Sequence, residues 1–169
     1  TNTQFTGASK EYRKLTPLLI KLQNELEQPE AREQVAIVRE QLDRMDGLKG
    51  MLIKEMSGRP FREADRELGG EAVGANVLGI RVSLAGRGTL LRNWDQISPR
   101  LMLRLCKYYA EQTGKTDAEV ADIYLSLAVY CMFNGGPEVA VGLAKQARER
   151  DPAIAAKIQR LLPDLPAGE

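Results

Sequence analysis

The sequence predicts an α+β protein that is mainly helical, and three observations support this fold class. Apolar residues recur at intervals of three and four near both ends of the chain, which is the period of an amphipathic helix. Between these ends, a glycine-rich stretch alternates apolar and polar residues, as a half-buried strand does. We therefore expect three segments: an N-terminal helical hairpin over residues 1–57, a small antiparallel β unit over 58–97, and a helical region over 98–169.

The composition limits the classes of function. The chain has 169 residues, 43% of them hydrophobic, so it can bury a core. Its 24 Lys and Arg nearly balance its 23 Asp and Glu, so no overall attraction to nucleic acid or membranes is expected. No apolar run reaches the roughly 20 residues that cross a bilayer, and we expect a soluble protein, cytoplasmic by default. The absence of histidine removes the most common catalytic bases and metal ligands, and no catalytic residue, metal or cofactor is predicted.

The first segment predicts two antiparallel helices joined near Pro29. Thr16-Pro17 is typical of a helix start, and the second helix is expected to keep one apolar face as far as Met45. The apolar stripes consist of Leu18, Leu19, Leu22 and Leu26 in the first helix, and Val35, Val38, Leu42 and Met45 in the second. A coiled-coil dimer is an alternative use of these stripes. Residues 47–57 fit either an extension of the second helix or a first strand, and both alternatives stay open.

The middle segment predicts a β-hairpin. Ile80, Val82 and Leu84 alternate with polar residues, which favours a strand with one buried face. Glycines within Ala85–Gly88 supply the positive φ angles of a tight turn, after which the chain returns through residues 89–94. The hairpin could be part of a three-stranded meander. Because two strands alone are marginal in water, this unit must pack on a helix or on another copy.

The last segment contains several helix start and stop signals. Ser98-Pro99 indicates a helix start, Gly114 a helix end, and Thr116 with Glu119 a capping box. Asp151-Pro152 predicts the start of a last helix. The two cysteines, Cys106 and Cys131, lie in apolar helical stretches and are interpreted as buried thiols, with a disulfide as the alternative.

From Ala121 to about Ile154 the pattern resembles the tetratricopeptide repeat, in which two antiparallel helices pack closely. The matching positions are Tyr124, Leu127, Ala128, Gly135, Ala140, Ala147 and Pro152. Cys131 and Ala144 depart from the family pattern, since both replace large aromatic residues. The resemblance implies a helical hairpin and protein or peptide binding on the concave face of the first helices, with the neighbouring helices as caps.

A second resemblance is to uncharacterised bacterial accessory regions in which a small strand unit runs into such helices. Here the matching step is Trp94-Asp95-Gln96-Ile97-Ser98-Pro99. It implies that the chain is one region of a larger protein, which also agrees with a sequence that begins at Thr1. It implies no particular chemistry.

A cluster of cations in the middle of the chain is the main candidate for anion binding. Its members are Arg81, Arg87, Arg92, Arg100, Arg104 and Lys107, with Asp95 as the only acid between them. Together with Trp94 as a stacking platform they could bind nucleic acid or another polyanion. A solvated face is the better interpretation, because strands alternate faces and the sequence does not bring the arginines together.

Two nucleotide-binding patterns are incomplete. Gly114-Lys115-Thr116 lacks the glycine that a phosphate loop needs five residues before the Gly-Lys pair. Gly86-x-Gly88 lacks the third glycine and the helix of a dinucleotide fingerprint. A further acidic cluster around Asp65 alternates with arginines and is interpreted as an exposed loop.

The sequence therefore predicts a non-catalytic protein- or peptide-interaction or scaffold region of a larger protein. Self-association through the N-terminal apolar stripe or an unpaired strand edge is a related alternative. Polyanion or nucleic-acid binding through residues 81–107 is the second hypothesis, and an uncharacterised enzyme is the third.

Overall fold

The computed structural model describes residues 14–63, 65–112 and 114–165, and it has the predicted α+β, mainly α fold. The described residues form six α-helices and one three-stranded antiparallel sheet. The elements are α1 (Thr16–Glu25), α2 (Pro29–Gly58), β1 (Glu71–Ala75), β2 (Gly79–Leu84), β3 (Gly88–Asn93), α3 (Pro99–Ala110), α4 (Asp117–Phe133), α5 (Pro137–Arg150) and α6 (Ala155–Leu161). Residues 1–13 and 166–169 of the predicted end segments lie outside the described residues. No described helix is both long and apolar enough to cross a bilayer.

The chain divides into two compact units. The helical unit comprises the described parts of Thr1–Leu48 and Thr113–Glu169, and the sheet unit comprises Lys49–Gln112. Long-range contacts explain why the two ends of the chain belong together. Gln41 Nε2 donates to the carbonyl oxygen of Leu161 over 2.6 Å, and Arg160 Nε donates to Glu33 over 3.0 Å. No local sequence pattern encodes such pairings, which is why the segments and the units have different boundaries.

The N-terminal hairpin is present, and its second helix is longer than its apolar stripe predicted. Thr16 Oγ1 bonds Asp43 near one end of the pair and Arg39 bonds Gln23 near the other, so α1 and α2 are antiparallel. Thr16 is the first helical residue rather than the cap. The choice left open over residues 47–57 resolves as helix. Leu48, Leu52 and Met56 recur four residues apart and are all buried, so one face of the helix continues into the core despite the glycines.

The sheet is the three-stranded meander, in the order β1-β2-β3. Ile80 and Val82 are fully buried, whereas Arg81 between them is exposed, as the alternation predicted. The hairpin turn is closed by a hydrogen bond from the Arg87 amide to the Leu84 carbonyl, and Gly86 and Gly88 have φ of 69° and 88°. These positive angles explain the two glycines.

The predicted helix caps are present. The Ser98 hydroxyl accepts a hydrogen bond from the Leu101 amide, and Thr116 and Glu119 form the reciprocal capping box. The last helix begins later than predicted, because Pro152–Ile154 form a 3₁₀ turn and α6 starts at Ala155. Cys106 and Cys131 are both buried thiols and are not joined by a disulfide.

Candidate functional site

The helical hairpin of α4 and α5 places the repeat-like positions together. Tyr124, Leu127, Ala128, Ala140 and Ala147 are all buried. Gly135 has φ of 78° in the turn, where the Gly136 amide donates to the Cys131 carbonyl. Pro152 is exposed at the start of the 3₁₀ turn. Small side chains such as these alanines permit close approach of two helices.

The α4 helix offers little open surface for a ligand. Ten of its 17 residues are buried, so it is a central helix rather than the open wall of a groove. Arg44 of α2 bonds Asp122 over 3.0 Å and the Ser126 hydroxyl over 3.1 Å. Burial raises the pKa of Asp122, but the hydrogen bond and charge of Arg44 outweigh it, so this pKa is lowered. α2 therefore covers part of the helix on which the family resemblance implies a binding face.

A small cavity of about 220 Å³ lies beside the ends of α4 and α6 in the helical unit. Its wall includes Gln41, Phe133 and Leu162. Pockets for small ligands usually measure about 300–1,000 Å³, so this cavity is small for that purpose. It does not carry a functional assignment.

The six predicted anion-binding residues are not brought together on one face. Arg92 pairs across the sheet with Ile80 and Arg81 pairs with Leu91, so the two arginines lie on opposite faces. Arg87 is exposed in the hairpin turn, and Arg100, Arg104 and Lys107 follow each other along α3.

Two of these cations are engaged by one acid. Arg104 bonds Asp65 over 2.7 Å and Glu63 over 3.0 Å, and Arg100 lies 3.9 Å from Asp65. Arg104 is therefore part of a folded ion-pair network, and its charge is largely compensated.

The side chains of the acidic loop around Asp65 form a network of hydrogen bonds and ion pairs. The Asp65 side chain is 1% exposed, and its Oδ1 accepts from the backbone amides of Glu67 and Leu68. Burial raises the pKa of Asp65, but the hydrogen bonds from the Glu67 amide and from Arg104 outweigh it, so the pKa lies below the ordinary 3.8. Glu67 in turn accepts from the amide and the hydroxyl of Ser98. These carboxylates fix the start of α3 against the loop.

The edge of the sheet at β3 is the most exposed regular element of the sheet unit. No other strand among the described residues pairs with its outer side, whereas the opposite edge strand, β1, carries a bridge between Ala72 and Phe61. Five of the six β3 residues are exposed. The exposed large apolar side chains of the sheet unit are Val77, Leu78, Leu90 and Leu91. We call β3 together with Val77 and Leu78 the apolar edge.

The turn that carries Val77 and Leu78 is held by Asn76. The Asn76 side-chain oxygen accepts from the amides of Leu78 and Gly79, and its carbonyl accepts from Trp94 Nε1 over 2.9 Å. The Trp94 amide donates to Leu78, which places this turn beside the end of β3. Val77 is 75% exposed and Leu78 is 64% exposed although their backbone is firmly bonded. The turn therefore presents two apolar side chains on a fixed support.

The apolar edge was not predicted as a site. The sequence indicated the strands, but it did not show which strand lies at an edge or that Leu90 and Leu91 are left without a covering element. The exposed pair Val77-Leu78 directly after Asn76 was the available signal, because apolar residues in a turn are unusual.

Searches among protein families, curated proteins and solved structures give no significant match to this chain. Within the part of the chain that the structure describes, no group of three or more cysteine and acidic side chains is placed to hold a metal ion.

Proposed function

We propose that the chain is a non-catalytic docking region of a larger protein, and that it binds an extended segment of a partner protein along the apolar edge. The observation that carries this proposal is that the described large apolar side chains exposed in this unit lie on or beside the strand edge that no other described strand pairs. A segment added to β3 would use main-chain hydrogen bonds for affinity and its alternate side chains for specificity. Leu90 and Leu91 lie on opposite faces of the sheet and would contact alternate residues of that segment.

Charge favours an acidic partner segment over a second copy of the chain. Arg87 precedes β3 and Arg92 is its last residue but one, and residues 87–93 contain no acid. In an antiparallel pairing of two copies that places Thr89 opposite Leu90, Arg87 of one strand lies opposite Arg92 of the other, and like charges across strands are destabilising. An acidic segment would instead be attracted to both ends of the strand.

The helical unit then serves as the support of this region. Tetratricopeptide-like packing of α4 on α5 remains part of the proposal, supported by the five buried positions of the hairpin. Peptide binding in a groove along α4 is less favoured, because that helix is mostly buried. Polyanion binding through residues 81–107 is also less favoured, because Arg81 and Arg92 lie on opposite faces and Arg104 is paired with acids.

The test is selection of octapeptides from a random phage-displayed library on the immobilised chain. We expect enriched peptides that alternate β-branched or aromatic residues with Asp or Glu. Hydrogen exchange should show that a synthetic enriched peptide protects the amides of residues 88–93. Enrichment of basic peptides, protection confined to the helical unit, or a failure to enrich any sequence would overturn the proposal.

Matched variants locate the binding surface. Leu91→Ser and Arg92→Glu should each raise the Kd of the synthetic peptide at least about fivefold, which is roughly 1 kcal/mol of binding free energy. Val139→Ser changes a side chain of comparable exposure in the helical unit, at 45% against 37% for Leu91, and should leave affinity unchanged. Equal losses for Leu91→Ser and Val139→Ser would contradict docking on β3.

A further inference from the structure

A cavity of the sheet unit lies where the loop before β1 meets the end of β2. Its volume is about 730 Å³, within the range of small-molecule pockets. Its wall is formed by Arg62, Glu63, Asp65, Arg66, Gly69, Gly70, Glu71, Ser83 and Ala85. We call it the arginine pocket. It is separate from the apolar edge, with which it shares no residue.

Among the described residues, most carboxylates of the arginine pocket form ion pairs, whereas its arginines do not. Two of its three carboxylates, Glu63 and Asp65, are bonded to Arg104, and Asp65 is also close to Arg100. Both of these arginines belong to α3 and neither lines the pocket. The wall itself carries two arginines and three carboxylates, and once Glu63 and Asp65 are offset by the two external arginines, Arg62 and Arg66 remain against Glu71. The external arginines thus satisfy the acids and leave the arginines of the wall available.

Arg62 and Arg66 are those remaining arginines. Both are exposed, and among the described residues neither forms a hydrogen bond or an ion pair. The Ser83 hydroxyl on the opposite wall likewise bonds no described group. Guanidinium groups present several donors in a fixed plane that matches phosphate and carboxylate oxygens.

The backbone that carries both arginines is firmly held. Arg62 follows Phe61, which exchanges two backbone hydrogen bonds of 2.9 and 3.0 Å with Ala72. Arg66 lies inside the turn in which the Gly69 amide donates to the Asp65 carbonyl and the Asp65 side chain bonds two further amides. Such anchoring lowers the ordering cost of binding.

The glycines on the wall bring two chain segments into close approach. A Cβ on Gly70 would lie 2.2 Å from the Ser83 carbonyl oxygen, so only glycine allows the loop to meet β2 there. Gly69 has φ of 72°, in the region that favours glycine. The shape of the pocket is therefore set by backbone contacts and exists without a ligand.

We propose that the arginine pocket binds a small oxyanion, a molecule carrying a phosphate or a pair of carboxylates, between the guanidinium groups of Arg62 and Arg66. The Ser83 hydroxyl donates a further hydrogen bond. Glu71, also in the wall, favours ligands that carry an amine beside the oxyanion.

The test is titration of the ¹⁵N-labelled chain with inorganic phosphate, pyrophosphate and citrate at constant ionic strength. We expect saturable shifts of the side-chain Nε–H signals of Arg62 and Arg66, with a millimolar or lower Kd for at least one probe. Phosphate or pyrophosphate binding more tightly than citrate identifies a phosphate ligand, and the reverse order identifies a polycarboxylate. Shifts that do not saturate, or that spread evenly over all arginines, would overturn the proposal.

Arginine variants separate this pocket from general attraction of anions. Arg62→Gln and Arg66→Gln should each raise the Kd at least about tenfold, and Arg66→Lys should recover only part of the loss because lysine lacks the planar fork. Arg81→Gln and Arg87→Gln remove exposed arginines elsewhere in the same unit and serve as controls. Losses of equal size in the controls would indicate unspecific binding. Peptide docking on β3 is measured independently, so either proposal can fail without the other.

Discussion

The α4–α5 hairpin and β3 contain apolar residues of the same kinds, but they use them in opposite ways. Leu127 on α4 is fully buried, whereas Leu91 on β3 is 37% exposed. In the hairpin, apolar side chains are covered by neighbouring helices and contribute to folding. On the edge strand they stay partly exposed on a backbone that is already paired on one side. The comparison indicates that the hairpin resembling a binding repeat is largely buried, whereas β3 keeps apolar side chains at the surface.

Truncation of one leucine in each region should give the largest contrast. Leu127→Ala removes a buried side chain and should lower the free energy of unfolding by about 3 kcal/mol. Leu91→Ala should lower it by less, about 1 kcal/mol, because 37% of this side chain stays exposed in the folded chain. Urea denaturation of both variants measures the difference. Similar losses for the two would show that β3 is covered by another element in solution.

The second-largest effect on stability is expected at Asp65 in the sheet unit. Asp65→Asn weakens the bonds to Arg104 and to two backbone amides, and we expect a loss of about 2 kcal/mol at pH 7. The pKa of Asp65 is lowered in the folded chain. Its stabilising contribution is therefore complete above the ordinary 3.8 and is lost as the pH falls through the lowered value.

The pH dependence provides the check on this second prediction. The loss caused by Asp65→Asn should shrink between pH 5 and the lowest pH at which the chain stays folded. Glu71→Gln, which removes an exposed carboxylate from the same pocket wall, is the matched control and should cost less than about 0.5 kcal/mol at pH 7. A loss of the same size at every pH would contradict an ionised Asp65 as the stabilising group.

Features set by residues close together in the sequence could be predicted, whereas features set by residues far apart could not. The caps at Ser98 and Thr116, the turn at Gly86 and the alternation of Ile80 and Val82 are local, and each was predicted correctly from the sequence. The continuation of α2 past Gly47 was left open, because the glycines argue against helix while the burial of Leu52 and Met56 depends on distant residues. Local propensity was overridden there by packing.

The candidate sites depend on contacts that the sequence does not display. The interpretation of the acidic cluster as an exposed loop holds for Arg62, Glu63 and Arg66 but not for Asp65. Asp65 is buried because it pairs with Arg104, which lies 39 residues further along the chain. The separation of Arg81 from Arg92 follows from strand register, and this part of the reasoning on the basic cluster agreed with the structure. Arg62 and Arg66 were named only as charges in the acidic loop, since the pocket requires the approach of Gly70 to Ser83.

A smaller effect is expected at the turn of the α4–α5 hairpin. Gly135 has φ of 78°, and a Cβ there would contact nothing within 4 Å, so Gly135→Ala should cost only the backbone strain of about 1 kcal/mol. Gly142→Ala lies in the exposed interior of α5 with equally open space and should stabilise by up to about 1 kcal/mol. The opposite signs of the two alanine substitutions, measured by thermal unfolding, distinguish a turn requirement from general helix propensity. Two changes of the same sign would refute the left-handed turn.

The smallest effect on folding should come from the most exposed apolar residue. Val77 is 75% exposed on a turn whose hydrogen bonds come from Asn76 and do not involve the valine side chain. Val77→Ser should therefore alter the free energy of unfolding by less than about 0.5 kcal/mol, yet weaken binding of an enriched acidic peptide. Asn76→Ala, which removes the acceptor for two amides, is the structural comparison and should destabilise by about 1 kcal/mol. If Val77→Ser were as destabilising as Asn76→Ala, the valine side chain would contribute to the core. The contrast between the buried apolar residues of the α4–α5 hairpin and the exposed ones of the apolar edge would then not hold.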